Sequence, residues 1–221
     1  LCNRLFSDKE FLKKQANIVD FTYYVSKSRL LSDKPQNKSG WLEELIKNQK
    51  NTVIFASSRL IPRKGCDTLL NAFNKIKNVK DVFLLIEGDG IQYNALNEFI
   101  TKNNLEKNVK MLGFNQYKTH SWLIRNCDIV IVPSHEDNWG IVVDEGLKLN
   151  KLVISTYSTG SAMTLIKDNV NGFLYESNDT NKLASLIQKC ILISKNTHTK
   201  SYDTNIPRNK MSEVLFNNIV S

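Results

Sequence analysis

Two basic and three acidic residues occupy the places in this chain best suited to chemistry. Arg59 and Lys64 lie five apart in SSRLIPRKGCDTLL, directly after an apolar run, and Gly65 opens a helical pattern running through Leu70. A helix N-terminus offers unpaired N–H groups and a partial positive charge. With two cations beside it, such an end suits a diphosphate; solvated loop charges are the plainer alternative. The second place is PSHEDNWGIVVDEGLKLN, whose loop carries Glu136 and Asp137. Gly140 lets the backbone approach a ligand where a side chain would block it. The helix beginning near Ile141 directs the amides of Ile141 and Val142 toward phosphate oxygens, and Glu145 falls about one turn into it. Carboxylates do not help a phosphate, but they accept hydrogen bonds from sugar hydroxyls. A surface acid pair plus a helix-dipole acid is the bland counterpart.

Other motifs carry less. EGDGIQY (87–93) has Gly88 and Gly90 but Tyr93 where a dinucleotide fingerprint needs its third glycine. A tight strand-to-helix turn lining the same cleft is expected there. Thr159, Gly160 and Ser161 read as a loop first and a ligand contact second. No GxxxxGK[ST] phosphate loop occurs. Cysteines at 2, 66, 127 and 190 show no CxxC spacing, and His120, His135 and His198 form no HExxH. A metal enzyme is therefore not expected. Cys127 and Cys190 read as small core residues, and the thiols as reduced and cytosolic.

These residues need elements to hold them. From residue 51 the chain alternates apolar, β-branched runs with amphipathic stretches. The runs are TVIFAS (52–57), VFLLIE (82–87), VKML (109–112), DIVIV (128–132), KLVIS (151–155) and GFLY (172–175). Most are apolar throughout, as strands covered on both faces must be. Leu69–Ile76, Leu96–Ile100 and Leu183–Cys190 repeat at helical spacing between or after them. The pattern predicts an α/β fold with a doubly wound parallel, Rossmann-like sheet over 51–195. In such sheets ligands bind beyond the carboxyl ends of the strands. Residues 1–50 offer too little apolar periodicity for a core of their own. Residues 196–221 read as a polar exit followed by a terminal helix.

Thirty Lys+Arg against 22 Asp+Glu give a net charge of +8 in 221 residues, which favours anionic partners. The basic residues are interleaved with acids, and neither a dense basic block nor an aromatic RNA-binding signature is present. No apolar run approaches the ~20 residues of a membrane span. LCNRLFSDKEFLKK is too charged for a signal peptide, and a start at Leu1 rather than Met suits a processed, trimmed or incomplete product.

Taken in order, SRLIPRKG, EGDG, LGF (112–114), PSHEDNWGIVVDE, LVIS and NGFLY resemble the nucleotide-sugar-binding half of retaining GT-B glycosyltransferases of family four, the group 1 type. The family pattern runs G-R-L-x-x-x-K-G, a G-x-G turn, P-S-x-x-E-x-F-G-x-x-x-x-E, a P-V-I-x-S strand and an N-G-F-L-V strand. The collinear segments span about residues 51–195. The resemblance implies the C-terminal, donor-binding half of a GT-B fold. Residues 1–50 would then be a remnant of the N-terminal domain and linker, with the rest of that domain missing. The helix in 196–221 would pack back toward it.

By the same resemblance, Arg59 and Lys64 hold the donor diphosphate. The family's two acids stand eight apart, so counting back from Glu145 selects Asp137, with Glu136 the substitute if the loop shifts by one. Glu145 would bind ribose hydroxyls and Asp137 the transferred sugar. Asn138, Trp139, Gly140, Ile141 and Val142 would supply backbone contacts, and Gly88, Gly90 and Phe114 would complete the substrate-binding set. A sugar would leave UDP or GDP with retained configuration for a glycan or lipid-linked acceptor, in surface-polysaccharide or lipid-linked glycan assembly. Cations and helix amides would stabilise the leaving group, with no cofactor and no obligatory metal. The implied location is cytoplasmic, with peripheral contact at the inner face of a membrane as an option and no nucleic-acid partner. The sequence departs from the pattern at Ser58 (usually Gly), Asp137 (Glu), Gly146 (Ala) and Asn150 (Gly). The alternatives are a sucrose or glucan synthase of the same fold, a non-catalytic nucleotide- or phosphate-binding module, and a basic nucleic-acid-binding domain.

Overall fold

The computed structural model describes residue 30 and residues 40–196. The chain order is α1 (Gly40–Lys47), β1 (Thr52–Ser57), a 3-10 turn (Pro62–Lys64), α2 (Cys66–Lys75), β2 (Val82–Glu87), α3 (Tyr93–Lys102), β3 (Val109–Gly113) and α4 (Tyr117–Asn126). It continues through β4 (Ile129–Val132), α5 (Ile141–Lys148), β5 (Leu152–Thr156), α6 (Gly160–Leu165), β6 (Phe173–Tyr175) and α7 (Thr180–Asn196). Six parallel strands form an open sheet in the order β3-β2-β1-β4-β5-β6. This is the expected doubly wound α/β sheet, and each strand lies within about one residue of its apolar run.

The period of two explains why the runs are apolar throughout. Ile54, Ala56, Leu84, Ile86, Ile129, Ile131, Ile154 and Phe173 face one layer, filled by α2, α3 and α7. Val53, Phe55, Leu85, Val130, Val132, Val153 and Leu174 face the other, filled by α1, α4, α5 and α6. A fully buried side chain of this kind contributes about 1.5–3 kcal/mol relative to leaving it in water. Cys127 and Cys190 sit in these layers, and burial pushes the Cys127 thiol up to about 12.

Leu30 and, from α1, Leu42 and Ile46 are buried in the second layer, so packing is continuous across residue 50. The rest of 1–39 and all of 197–221, including the expected terminal helix, lie outside the described residues. No described helix is long and apolar enough to cross a membrane.

Two departures from the family pattern have local explanations. Asn150 takes φ 54°, the left-handed turn after α5 that glycine favours and asparagine tolerates. Gly146 brings α5 close to the sheet: a Cβ there would lie 3.0 Å from Val153 Cγ2 and 3.3 Å from Val130 Cβ.

The order reverses between β1 and β4, where α/β sheets open their crevice. Asp128 ties those strands at the opposite edge: its Oδ2 accepts from Val53 N (2.7 Å) and its amide donates to Val53 O (2.8 Å). Being parallel, all the strands end on the same edge, at Ser57, Glu87, Gly113, Val132, Thr156 and Tyr175.

Candidate functional site

The loops leaving β1 and β4 meet at this edge. Gly65 is left-handed (φ 66°), and a Cβ on it would stand 2.1 Å from the Pro133 carbonyl oxygen. Only glycine permits that approach. The Arg63 carbonyl accepts from the amides of His135 (2.9 Å) and Glu136 (3.2 Å), and Arg63 Nη1 donates to Glu136 O (3.1 Å). Clasping the loops this way sets Lys64 Nζ 2.5 Å from Asp137 Oδ2, with both side chains largely shielded.

Asp137 is fixed from its other side by the β5–α6 loop. Its amide donates to Ser158 O (3.1 Å) and its carbonyl accepts from Gly160 N (3.0 Å). Gly160 has Asn138 O 2.1 Å from where a Cβ would be. Ser161 donates to Trp139 O through its amide (2.7 Å) and to Gly140 O through its hydroxyl (2.8 Å).

Gly140 (φ 76°) stands before the first residue of α5, and no side chain caps that helix. The first amides of a helix have no intrahelical acceptor, so those of Ile141 and Val142 remain available for an anion. Asp137 Oδ2 is 3.4 Å from where a Gly140 Cβ would be. A buried cation, a carboxylate and an uncapped helix start thus converge.

A second charged group lies deeper. Glu145 from α5 and Glu87 from the end of β2 are 2% and 4% exposed, with the His120 ring from α4 between them. Nδ1 of the ring is 2.5 Å from Glu87 Oε2, and Nε2 is 2.8 Å from Glu145 Oε2. A ring donating to carboxylates from both nitrogens is an imidazolium. Burial opposes its charge, but the hydrogen bonds to Glu145 and Glu87 prevail and lift its pKa to about 9. Ser57 Oγ also donates to Glu87 Oε2 (2.7 Å), and the Tyr117 hydroxyl reaches Glu145 Oε1 at 3.5 Å.

The structure therefore brings Lys64, Asp137 and Gly140 together and sets Glu145 beneath them in the helix that Gly140 precedes. Glu136 and Asn138 are exposed, and Glu136 is held through its backbone amide and carbonyl. Arg59 is exposed beside the β1 end, with no side-chain partner among the described residues. Phe114 is 80% exposed just past β3, at the same edge. Gly88 and Gly90 fit the β2 loop against the β1 loop: a Cβ would meet Ser58 O at 1.8 Å and Leu60 O at 2.4 Å.

Sequence reasoning missed His120, Glu87, Ser57 and Tyr117. An acid ending an otherwise apolar strand, as in VFLLIE, was the available signal for Glu87. His120 gave none, because the helix carrying it shows no clear helical spacing.

The family model described as "Glycosyl transferases group 1" matches residues 37–205. An uncharacterized glycosyltransferase of Methanocaldococcus jannaschii is 35% identical over 131 residues, 59% of this chain and 36% of the relative. The GDP-mannose-dependent monoacylated alpha-(1-6)-phosphatidylinositol monomannoside mannosyltransferase of Corynebacterium glutamicum is 31% identical over 162 residues, 69% of this chain and 41% of the relative. This chain's matched part thus spans about two fifths of those relatives. Among solved structures, Anabaena HepE in complex with UDP aligns at TM-score 0.63 and 27% identity, over 89% of this chain and 52% of that one.

Proposed function

The chain belongs to the group 1 glycosyl transferases, and from that we propose that it carries the donor-binding half of a retaining GT-B enzyme acting on a nucleoside-diphosphate sugar. The observation that carries this reading is the convergence of shielded Lys64, Asp137 and the uncapped start of α5 around Gly140. A cation and helix amides fit a diphosphate, and the acid beside them fits sugar hydroxyls. The complex of HepE with UDP supports a nucleotide ligand for this fold.

In this reading Lys64, Arg59 and the amides of Ile141 and Val142 neutralise the diphosphate as the bond from the sugar to the phosphate oxygen breaks. Charge develops on that oxygen, and donors already in place stabilise it without reorganisation. Asp137 holds the transferred sugar and Glu145 the ribose, while Asn138, Trp139 and Gly140 contribute backbone groups. Asp137 is one methylene shorter than the family's usual glutamate, and its pairing with Lys64 keeps it at the phosphate end of the site. The reaction so described needs no cofactor and no obligatory metal. The acceptor belongs to the glycan or lipid-linked class, on the pattern of the corynebacterial mannosyltransferase, whose name specifies a phosphatidylinositol mannoside. It meets the site through the N-terminal domain, at the inner face of a membrane when lipid-linked.

Calorimetric titration of the chain with UDP and GDP, repeated with Glu145→Ala, tests the assignment. Saturable binding of one nucleotide, lost in the variant, is expected. Equal affinity of wild type and variant for both would overturn it.

A further inference from the structure

The Glu87–His120–Glu145 group goes beyond the donor contacts just assigned, and its role depends on Glu145 being one of them. We propose that His120 is a positioning residue: its imidazolium, anchored by Glu87, fixes Glu145 so that one carboxylate oxygen is reserved for the ribose of the donor.

The two oxygens of Glu145 are differently held. Oε2 accepts the His120 Nε2 bond at 2.8 Å, whereas among the described residues Oε1 has only the long 3.5 Å contact with the Tyr117 hydroxyl. Since Glu145 is 2% exposed, a ribose hydroxyl takes the place of that weak partner at Oε1. His120 is itself held on several sides. Glu87 Oε2 accepts from Nδ1, the Tyr117 ring stacks on the imidazole (centroids 5.9 Å apart, 27° between planes), and Phe55 packs at 5.6 Å.

Glu87 is more than an anchor. Its Oε1 is buried with no hydrogen-bond partner among the described residues, an arrangement sustained by the neighbouring positive charge. By supporting the imidazolium from its other side, Glu87 keeps Nε2 a donor to Glu145, whose other oxygen can then accept from a ligand. The titratable groups facing the imidazole are Glu87, Glu145 and Tyr117. Once the ring loses its proton, two buried carboxylates flank a neutral imidazole that can donate to only one of them, and Glu145 loses its fixed orientation.

The test uses the full chain, UDP, GDP and inorganic pyrophosphate. At pH 7.5, His120→Gln and Glu87→Gln are each expected to weaken binding of the preferred nucleotide about tenfold and that of pyrophosphate, which has no ribose, less than threefold. The ratio of wild-type to His120→Gln affinity cancels the ligand's own ionisation, and it is expected to shrink toward one as the pH passes 9. Unchanged nucleotide affinity in His120→Gln, or equal losses for nucleotide and pyrophosphate, would overturn the proposal. If the wild type binds neither nucleotide, the donor-site assignment fails by itself, and the imidazole resonance of His120 then decides the coupling. A midpoint that drops by a unit or more in Glu145→Gln sustains it; an unmoved midpoint ends it.

Discussion

The two charged groups at the carboxyl edge of the sheet are built on opposite terms. Lys64 and Asp137 come from loops and pair with each other at the rim, with the uncapped start of α5 alongside. In the proposed donor site, a diphosphate arriving there takes over Lys64 and releases Asp137. Glu87, His120 and Glu145 come from a strand end and two helices, and both ring nitrogens and the Oε2 of each carboxylate are already paired inside the protein. The rim pair can exchange partners at small cost when an incoming anion replaces what Lys64 gives up. The inner group keeps its bonds to His120, because an unpaired charge in the interior is strongly penalised, and offers a ligand Glu145 Oε1 alone. Charge with a single exchangeable partner is thus available to a ligand, whereas charge bonded on two sides holds other charge in place.

The largest effect that would break this contrast is the pH dependence of stability. The folded pKa of His120 is raised to about 9 from 6.5. Its contribution is therefore complete below about pH 6.5 and is lost as pH rises through 9, a change of about 3 kcal/mol. Urea unfolding across that window should show wild-type stability falling and His120→Gln nearly flat. Equal slopes would mean the inner group is no more committed to the fold than the rim.

Next in size, Lys64→Ala should raise the Kd of the preferred nucleotide about thirtyfold, near the 2 kcal/mol of a charge-assisted bond, while the thermal midpoint moves little. A large drop in that midpoint would show the rim pair to be structural.

The smallest effect sharpens the choice between adjacent acids. Glu136→Ala should change stability and affinity by less than about 0.5 kcal/mol, as exposed substitutions do. Asp137→Asn should leave UDP binding intact or slightly tighter, since Lys64 loses a competitor, and should reduce any preference for UDP-glucose over UDP. The same pattern from Glu136→Ala would shift the site by one residue.

The rim residues and Glu145 were legible in the sequence, and the inner partners of Glu145 were not. Arg59, Lys64, Glu136, Asp137 and Glu145 lie within short strand-to-helix segments where the family pattern selects Asp137 over Glu136, and the strands declared themselves because burial on both faces leaves them apolar throughout. The helix Tyr117–Asn126 escaped because its buried residues, Ser121 to Ile124, run consecutively instead of recurring at helical spacing. His120 acquires meaning only through Glu87, 33 residues before it, and Glu145, 25 after it. The fold brings them together by carrying the chain from β3 through α4 to the far side of β1, and no local pattern records that crossing. The neighbouring glycines were visible as letters, but the Pro133 carbonyl that makes Gly65 necessary was not.

The parallel order of the strands has a kinetic consequence. Because every strand ends on the same edge, the helices that follow begin there, and their partial positive ends face the same way. In a chain of net charge +8, helix starts gathered on one edge are expected to draw multivalent anions toward it before contact. Encounter with a nucleoside diphosphate should therefore be faster than diffusion of neutral bodies allows, and should slow as added salt shortens the reach of that attraction.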